Sequence, residues 1–299
     1  MKKNGCIFLI SARKNILKTC LEYLNSNYNK IFNYPILIFY HGDKYDSPEF
    51  QDSIKEINTN TIITFHKIEP KVPDHLKEED MFWNLPNNKY ARNFTRSRFG
   101  YLHANYFWNN FMDYPELKDY EYMMRIDDDS WFKSLIEFDF FEELDKQNKL
   151  MGTGYHWNHV SNRVLDTRMN LYQWVQNYVK KYNIDVKHKG LETHLLQGEN
   201  DIVEGRKCNK AFHEMKQMSG NCSIYNRDLF RADSWKTYLK EFNNIAGGYR
   251  YRWGDCEVQS FYYYMHIGGD FMDLDLRTKG LYHNQINNQW DSIQDRNTF

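Results

Sequence analysis

Three consecutive carboxylates, Asp127-Asp128-Asp129, follow the apolar run Tyr122-Met123-Met124-Arg125-Ile126. Carboxylates this close repel one another unless a cation or a guanidinium offsets them. Hard oxygen ligands of this kind suit Mg²⁺ or Mn²⁺, ions that also grip phosphates. Alternate residues of an extended segment project to one side, so Asp127 and Asp129 are expected to face a common site while Asp128 faces elsewhere. A solvated acidic turn or a helix N-cap favours aspartate as well, and the tripeptide alone does not separate these readings. A second cluster is Gly247-Gly248-Tyr249-Arg250-Tyr251-Arg252-Trp253-Gly254-Asp255. Its glycines allow close backbone approach to a ligand, its aromatics offer stacking faces for a sugar or base, and Asp255 offers a carboxylate. A glycine-rich turn entering a buried helix would read the same way. The third is Gly280-Leu281-Tyr282-His283. Imidazole is a common metal ligand, but the chain has 11 histidines and most lone histidines pack or are solvated.

The elements around these residues follow from hydrophobic periodicity. Cys6 to Ile10 is a short apolar run expected as a buried strand, and Asn15 to Tyr28 places Ile16, Leu17, Cys20, Leu21 and Leu24 at helical spacing. Tyr34 to Tyr40 predicts a second strand ending at His41-Gly42-Asp43, Thr61 to His66 a third, and Glu121 to Ile126 another. Helices are expected over about Ser97 to Asn110 and Leu171 to Lys181, with a loop beyond the latter and a surface excursion over 67–97. The β-α-β rhythm predicts a parallel sheet, and ligands of such sheets bind beyond the carboxyl ends of the strands. Arg13 and Asp43 fall just after the first two strands. No repeat or composition break divides the 299 residues, so one domain is expected over 1–299.

Composition excludes several classes. With 39 Lys and Arg against 40 Asp and Glu, and no block of like charge, the concentrated cationic surface of a nucleic-acid binder is missing. Hydrophobic residues at 41% and aromatics at 17% are enough for a large core despite a mean hydropathy of -0.81, which excludes wholesale disorder. Cys6 to Ile10, the most apolar early run, is far short of the roughly 18 to 20 residues that span a bilayer. It is also too short for a signal peptide, although Lys2 and Lys3 precede it. The chain is therefore expected to be cytoplasmic or otherwise soluble and unanchored, and in a Golgi lumen only if a longer form carries an anchor. The 5 cysteines lack zinc-site spacing, and the odd count fits a reducing compartment or one leftover thiol; in an oxidising lumen Cys208 and Cys222 could pair. Asn93-Phe94-Thr95 and Asn221-Cys222-Ser223 match the N-glycosylation pattern.

Taken in order, these segments resemble the fungal Golgi α-1,2-mannosyltransferases of glycosyltransferase family 15. Cys6-Ile7-Phe8-Leu9-Ile10-Ser11-Ala12-Arg13 and Asn25 to Tyr40, with Phe32-Asn33-Tyr34-Pro35, follow that family's first strand, helix and second strand. Leu117 to Asp129 resembles its segment ending in Arg-Val-Glu-Pro-Asp, Arg252-Trp253-Gly254-Asp255 its Trp-Gly-Asp signature, and Tyr282-His283 its Tyr-His. The resemblance covers nearly the whole chain. It implies a GT-A α/β fold with a Rossmann-like mixed central sheet flanked by helices, and a retaining, metal-dependent glycosyltransferase. The donor implied is GDP-mannose ahead of a UDP-sugar, with Mn²⁺ or else Mg²⁺ as cofactor and a saccharide or glycoprotein hydroxyl as acceptor.

The resemblance also implies roles. Asp129 corresponds to the metal-binding aspartate and His283 to its partner ligand, with Asp127 beside them; Arg13, Asp43, Arg98 and Arg125 fall around the nucleotide. The family's Asn-Phe-Glu-Ile is replaced here by Asn221-Cys222-Ser223-Ile224. Ser223 cannot act as the carboxylate nucleophile that glutamate would be, which leaves Asp255 as the expected acidic group at the reacting carbon and Trp253 as a face for the sugar. A UDP-sugar transferase of the same fold and a catalytically silent carbohydrate-binding or assembly protein are the alternative readings.

Overall fold

A computed structural model describes residues 2–69, 72–84, 99–157, 168–197, 201–203, 206–278 and 280–283. Arg98 and Asn93 lie outside the described residues, and for Cys208, Tyr282 and His283 the description is of backbone alone.

The chain opens as the periodicity predicts, with β1 (Gly5–Ser11), α1 (Lys14–Leu24), β2 (Ile36–Tyr40), α2 (Pro48–Lys55) and β3 (Ile63–Lys67). Next come α3 (Phe99–Asn110) and β4 (Tyr122–Ile126). β5 (Ser130–Phe132), α4 (Phe140–Lys146), β6 (Met151–Thr153) and α5 (Leu171–Tyr182) follow. The last part holds β7 (Cys222–Asn226), α6 (Asp233–Ile245), α7 (Gly247–Arg250), α8 (Asp255–His266), β8 (Met272–Asp273) and β9 (Leu281–His283). The segment after α5 is not all loop: Lys189–Gln197 is a further helix.

The central sheet runs β8-β6-β7-β4-β1-β2-β3. β1 is parallel to β2 and β4, and β2 to β3, as the β-α-β rhythm requires. The purely parallel expectation fails at β7, which is antiparallel to both β4 and β6. The sheet is thus mixed, as the family resemblance implied. Side chains alternate across it. Cys6, Phe8 and Ile10 pack with Phe39, Trp108 and Phe111 on one face, and Ile7 and Leu9 with Leu17, Leu21 and Ile38 on the other. Both faces are covered, which is why β1 and β2 read as unbroken apolar runs rather than alternating ones.

The sequence from Ser260 to Ile267 is an apolar-aromatic run without a helical stripe, and α8 supplies the reason. Its residues from Val258 to Met265 are all buried, so there is no polar face to reveal the period. Its approach is set by Trp253, which is fully buried; the indole N–H donates to the Met169 carbonyl at 2.7 Å, and Tyr251 stacks on it at 5.2 Å. Trp253 is therefore a core residue, not the sugar-stacking face expected of it. A Cβ on Gly247 would lie 2.0 Å from Trp253 Cε3, whereas one on Gly248 would meet nothing nearer than 3.7 Å.

Gly247→Ala should therefore overpack the Trp253 pocket and cost about 1–3 kcal/mol, read as a lower urea midpoint. Gly248→Ala should leave the midpoint near that of the parent; equal behaviour of the two would contradict this packing.

Candidate active site

β1, β2 and β4 end on the same edge of the sheet, and the chain leaves them through Ser11-Ala12-Arg13, His41-Gly42-Asp43 and Asp127-Asp128-Asp129. The acidic segment is not extended. The Ser130 N–H donates to the Asp127 carbonyl at 2.9 Å and closes a turn, while the Asp127 N–H donates to the Asn221 carbonyl at 3.0 Å. From beneath, the Cys20 thiol on α1 donates to the Ser130 carbonyl at 3.1 Å.

That turn overrides the alternation expected of the three carboxylates. Asp128 does not face elsewhere: it accepts from Ser11 Oγ at 2.7 Å and pairs with the Arg13 guanidinium, whose Nη1 also lies 3.2 Å from Asp129 Oδ2. Asp127 turns away from both and pairs with Arg125, whose Nη2 is 3.1 Å from its Oδ1. Asp128 and Asp129 are buried, and Asp127 is more open. Burial pushes the Asp128 carboxyl above its ordinary pKa, with Arg13 pulling it down and Asp129 pushing it up. Burial opposes the charge of Arg13, but the attraction of Asp128 and Asp129 outweighs it and its pKa is raised.

Arg125 is the centre of a second cluster. Its guanidinium is buried, pairs with Asp255 as well as Asp127, and stacks with its carbon 3.8 Å from the centre of the Trp108 ring. A Cβ at Gly220 would lie 2.7 Å from Arg125 Nη2, so the chain passes close over the guanidinium there. Asp255 is the first residue of α8 and is 4% exposed. It is thus not a free acidic group at a reacting carbon but the partner of a buried cation, and Arg125 is held by carboxylates rather than presented to a nucleotide. Gly254 also differs from the expected ligand approach: a Cβ there would sit 2.3 Å from Glu257 Oε2, a carboxylate that pairs with buried Arg168 at 2.8 Å.

The remaining expected positions are placed as follows. Ser223 is fully buried in β7, opposite Arg125 of β4, and its hydroxyl donates to the Ser219 carbonyl at 2.9 Å. The Asp43 carboxylate, on the loop after β2, is exposed and pairs with Lys67 at 2.6 Å. That loop reaches Ser11, which itself donates to Asp128, through Tyr45, whose hydroxyl lies 2.8 Å from Ser11 Oγ. β9 pairs antiparallel with β5, setting His283 opposite Ser130 and hence beside Asp129, 154 positions earlier in the chain. Asn221 is buried and donates to Ser130 Oγ at 3.2 Å, so this sequon presents no accessible amide. Cys222 is a free buried thiol and is not joined to Cys208.

Sequence reasoning missed Trp108, Ser11, Cys20 and Gly220. Ser11 sits inside the motif that carries Arg13, but Trp108 and Cys20 look like ordinary helix core, and nothing local marks Gly220.

The donor chemistry fits a hard divalent cation. Asp127, Asp128, Asp129 and Asp255 crowd around two guanidiniums, so the cluster is short of positive charge, and an imidazole-bearing strand is in register beside it. Among the described residues no three His, Cys, Asp or Glu side chains converge to hold an ion.

An α/β sheet of this order, with an acidic turn at its carboxyl edge, is the GT-A fold of glycosyltransferases. Residues 1–284 match the family described as glycolipid 2-alpha-mannosyltransferase, and the chain belongs to that family. It is 22% identical over 267 residues to the probable mannosyltransferase KTR4 of Saccharomyces cerevisiae, covering 87% of this chain and 56% of that protein. It is 23% identical to the O-glycoside alpha-1,2-mannosyltransferase homolog 5 of Schizosaccharomyces pombe, covering 85% of this chain and 64% of that one. The chain thus spans between about half and two thirds of the length of these relatives. The structure of the S. cerevisiae mannosyltransferase Ktr4p in complex with GDP superposes with a TM-score of 0.72 at 20% identity, over 95% of this chain and 71% of that one. The Mn/GDP form of core-mannan synthase A from Aspergillus fumigatus gives 0.66 at 17%, over 88% and 70%.

Asp255→Asn leaves Arg125 buried with only Asp127 opposite, and loss of a partner from a buried pair costs about 3–5 kcal/mol. The variant should lose stability by roughly that amount in chemical denaturation, in step with any loss of activity. Parent-like stability would show that Asp255 is not the anchor of Arg125.

Proposed function

We propose that this chain is a glycosyltransferase that moves mannose from GDP-mannose to a saccharide hydroxyl with retention of configuration. The observation that carries this reading is the β5–β9 register, which sets His283 beside Asp129 at the carboxyl edge of the parallel strands. Family membership and relatives described as mannosyltransferases support it, as do the GDP and Mn/GDP titles of the two solved structures. No helix among the described residues is long and apolar enough to cross a membrane.

Asp129 and His283 would hold Mn²⁺, while Asp127, expected beside them, is engaged by Arg125. When bound, the metal supplies positive charge to the departing diphosphate. Arg13, already in contact with Asp129, adds a guanidinium on the same side of the cleft. Asp43, on the neighbouring loop, is the candidate contact to the nucleoside. With serine at 223 and Asp255 committed to Arg125, no carboxylate of these positions is free to form a glycosyl-enzyme bond. Attack is therefore assigned to the acceptor hydroxyl on the face that the diphosphate leaves. The anomeric carbon–phosphate oxygen bond breaks, the new glycosidic bond forms on the same side, and a diphosphate oxygen takes the hydroxyl proton. In this reading Ser223 does not act as a nucleophile.

Asp129→Ala should stay folded, because Asp128 still pairs with Arg13, yet bind GDP in the presence of Mn²⁺ at least tenfold more weakly by calorimetry, about 1.4 kcal/mol. Unchanged Mn²⁺ and GDP affinity in the folded variant would remove Asp129 from the metal site.

In thermal-shift titrations with Mn²⁺, GDP should raise the melting temperature of the parent protein more than UDP, and EDTA should abolish the difference. A larger shift with UDP would reverse the donor assignment.

A further inference from the structure

Strands on both sides of the acidic turn end at the same edge of the sheet. β7 is antiparallel to β4 and to β6, so β6 runs in the direction of β4, and β8 is parallel to β6. Arg13 and Asp43 follow β1 and β2 on one side of the turn, and Tyr155 and Arg277 follow β6 and β8 on the other. Hydrogen bonds tie this second side to the turn. The Tyr155 hydroxyl donates to Asn221 Oδ1 at 2.8 Å, and Asn221 Nδ2 donates to Ser130 Oγ at 3.2 Å. Arg277 lies over Tyr155, its guanidinium carbon 3.8 Å from the ring centre. The backbone that carries it is pinned as well. The Leu276 N–H donates to the Gly154 carbonyl at 2.6 Å, and the Leu281 N–H to the Leu276 carbonyl at 2.7 Å.

Arg277 is exposed, and among the described residues its guanidinium makes no ion pair or hydrogen bond. The two aspartates of its own turn are engaged elsewhere. Asp273 pairs with His156 and accepts from the Asp275 N–H at 2.9 Å, and Asp275 accepts from the Thr278 hydroxyl at 3.0 Å. A surface arginine ordinarily is solvated or finds a carboxylate, whereas this one is fixed on a ring with its donors unspent. The planar fork matches the oxygens of a phosphate or carboxylate, and a side chain already held in place loses little entropy on binding one. We propose that Arg277 is a specificity-determining residue for the acceptor: it binds an acidic group, phosphate ester or carboxylate, carried by the acceptor saccharide. The saccharide itself rests on the glycosyltransferase reading above. Arg277 takes no part in bond making; it selects and orients an acidic sugar on the side of the turn away from Arg13 and Asp43. Asp127 and Asp273, the carboxylates near this side, are each paired with a basic side chain, which limits their repulsion of an anion.

The test is calorimetry on the whole chain at low ionic strength, in EDTA so that no metal competes for phosphate, and without nucleotide. The probes are mannose 6-phosphate, methyl α-glucuronide and the neutral methyl α-mannoside. At least one acidic sugar should bind about tenfold or more tightly than the mannoside, and which of them does so identifies the acidic group. Arg277→Gln should bring that ratio close to one, and Arg277→Lys, which keeps the charge but not the fork, should retain part of it. Arg277 is exposed, so neither variant opens the core. Equal binding of acidic and neutral sugars by the parent would overturn the proposal, as would a ratio that survives in Arg277→Gln. Inorganic phosphate binding as tightly as the sugar phosphate would overturn it too, because the sugar would then contribute nothing. Weaker GDP binding by Arg277→Gln in the presence of Mn²⁺ would move the arginine to the donor side and have the same effect. The sugar titrations contain no donor, so failure of the GDP assignment and failure of the acceptor assignment give separate results.

Discussion

Arg125 carries a permanent charge on the central strand of a sheet whose two faces are both covered, and such a charge is tolerated only with close counter-charges. Asp255 and Asp127 supply them, and the Trp108 ring supplies a flat face for the remaining surface of the guanidinium. This pairing joins three parts of the chain: β4, the first turn of α8, and α3. It also explains details that have no local reason. Gly220 must lack a side chain because the chain crosses over Arg125. Asp127 is drawn to one side of the acidic turn, leaving Asp128 and Asp129 to Arg13 on the other.

The site is thus built from two guanidinium-centred clusters that meet at one three-residue turn. Arg13, reaching from the end of β1, neutralises the buried half of the turn, while Arg125 holds the open half. Each carboxylate has an organic cation beside it, yet the four carboxylates outnumber the two guanidiniums. Cys20 and Asn221 hold the backbone of the turn from opposite sides, so the geometry of the acidic groups is set by residues that do not themselves carry charge.

Ser223, where the family resemblance implies a glutamate, acquires meaning in this setting. Ser223 faces across to Arg125 in the strand register, where a carboxylate would add a third anion to the Arg125 cluster. A serine instead closes on a neighbouring carbonyl and leaves the cluster balanced. The serine at 223 and the commitment of Asp255 to Arg125 therefore belong to one electrostatic arrangement.

The sequence by itself determined the β-α-β opening, the strand that ends at the acidic triplet, and the helices whose polar faces leave a 3.6-residue signature, because these depend on periodicity within a few turns of chain. Ordered motifs also made the family legible. Tertiary structure alone decided which carboxylate faces which cation. A turn at Asp127–Asp129 broke the strand alternation that a linear reading assumes, and Asp255 met its partner 130 positions away. α8 was hidden for a related reason: burial on every side erases the polar stripe that marks a helix in sequence. Trp253 read as a ligand face because an aromatic beside glycines looks alike in a cleft and in a core. Its full burial, its bond to the Met169 carbonyl and the lack of room for a Cβ at Gly247, which would lie 2.0 Å from the ring, distinguish them. Local sequence carries local period, whereas charge pairing and close packing are settled by segments that meet only when the chain has folded.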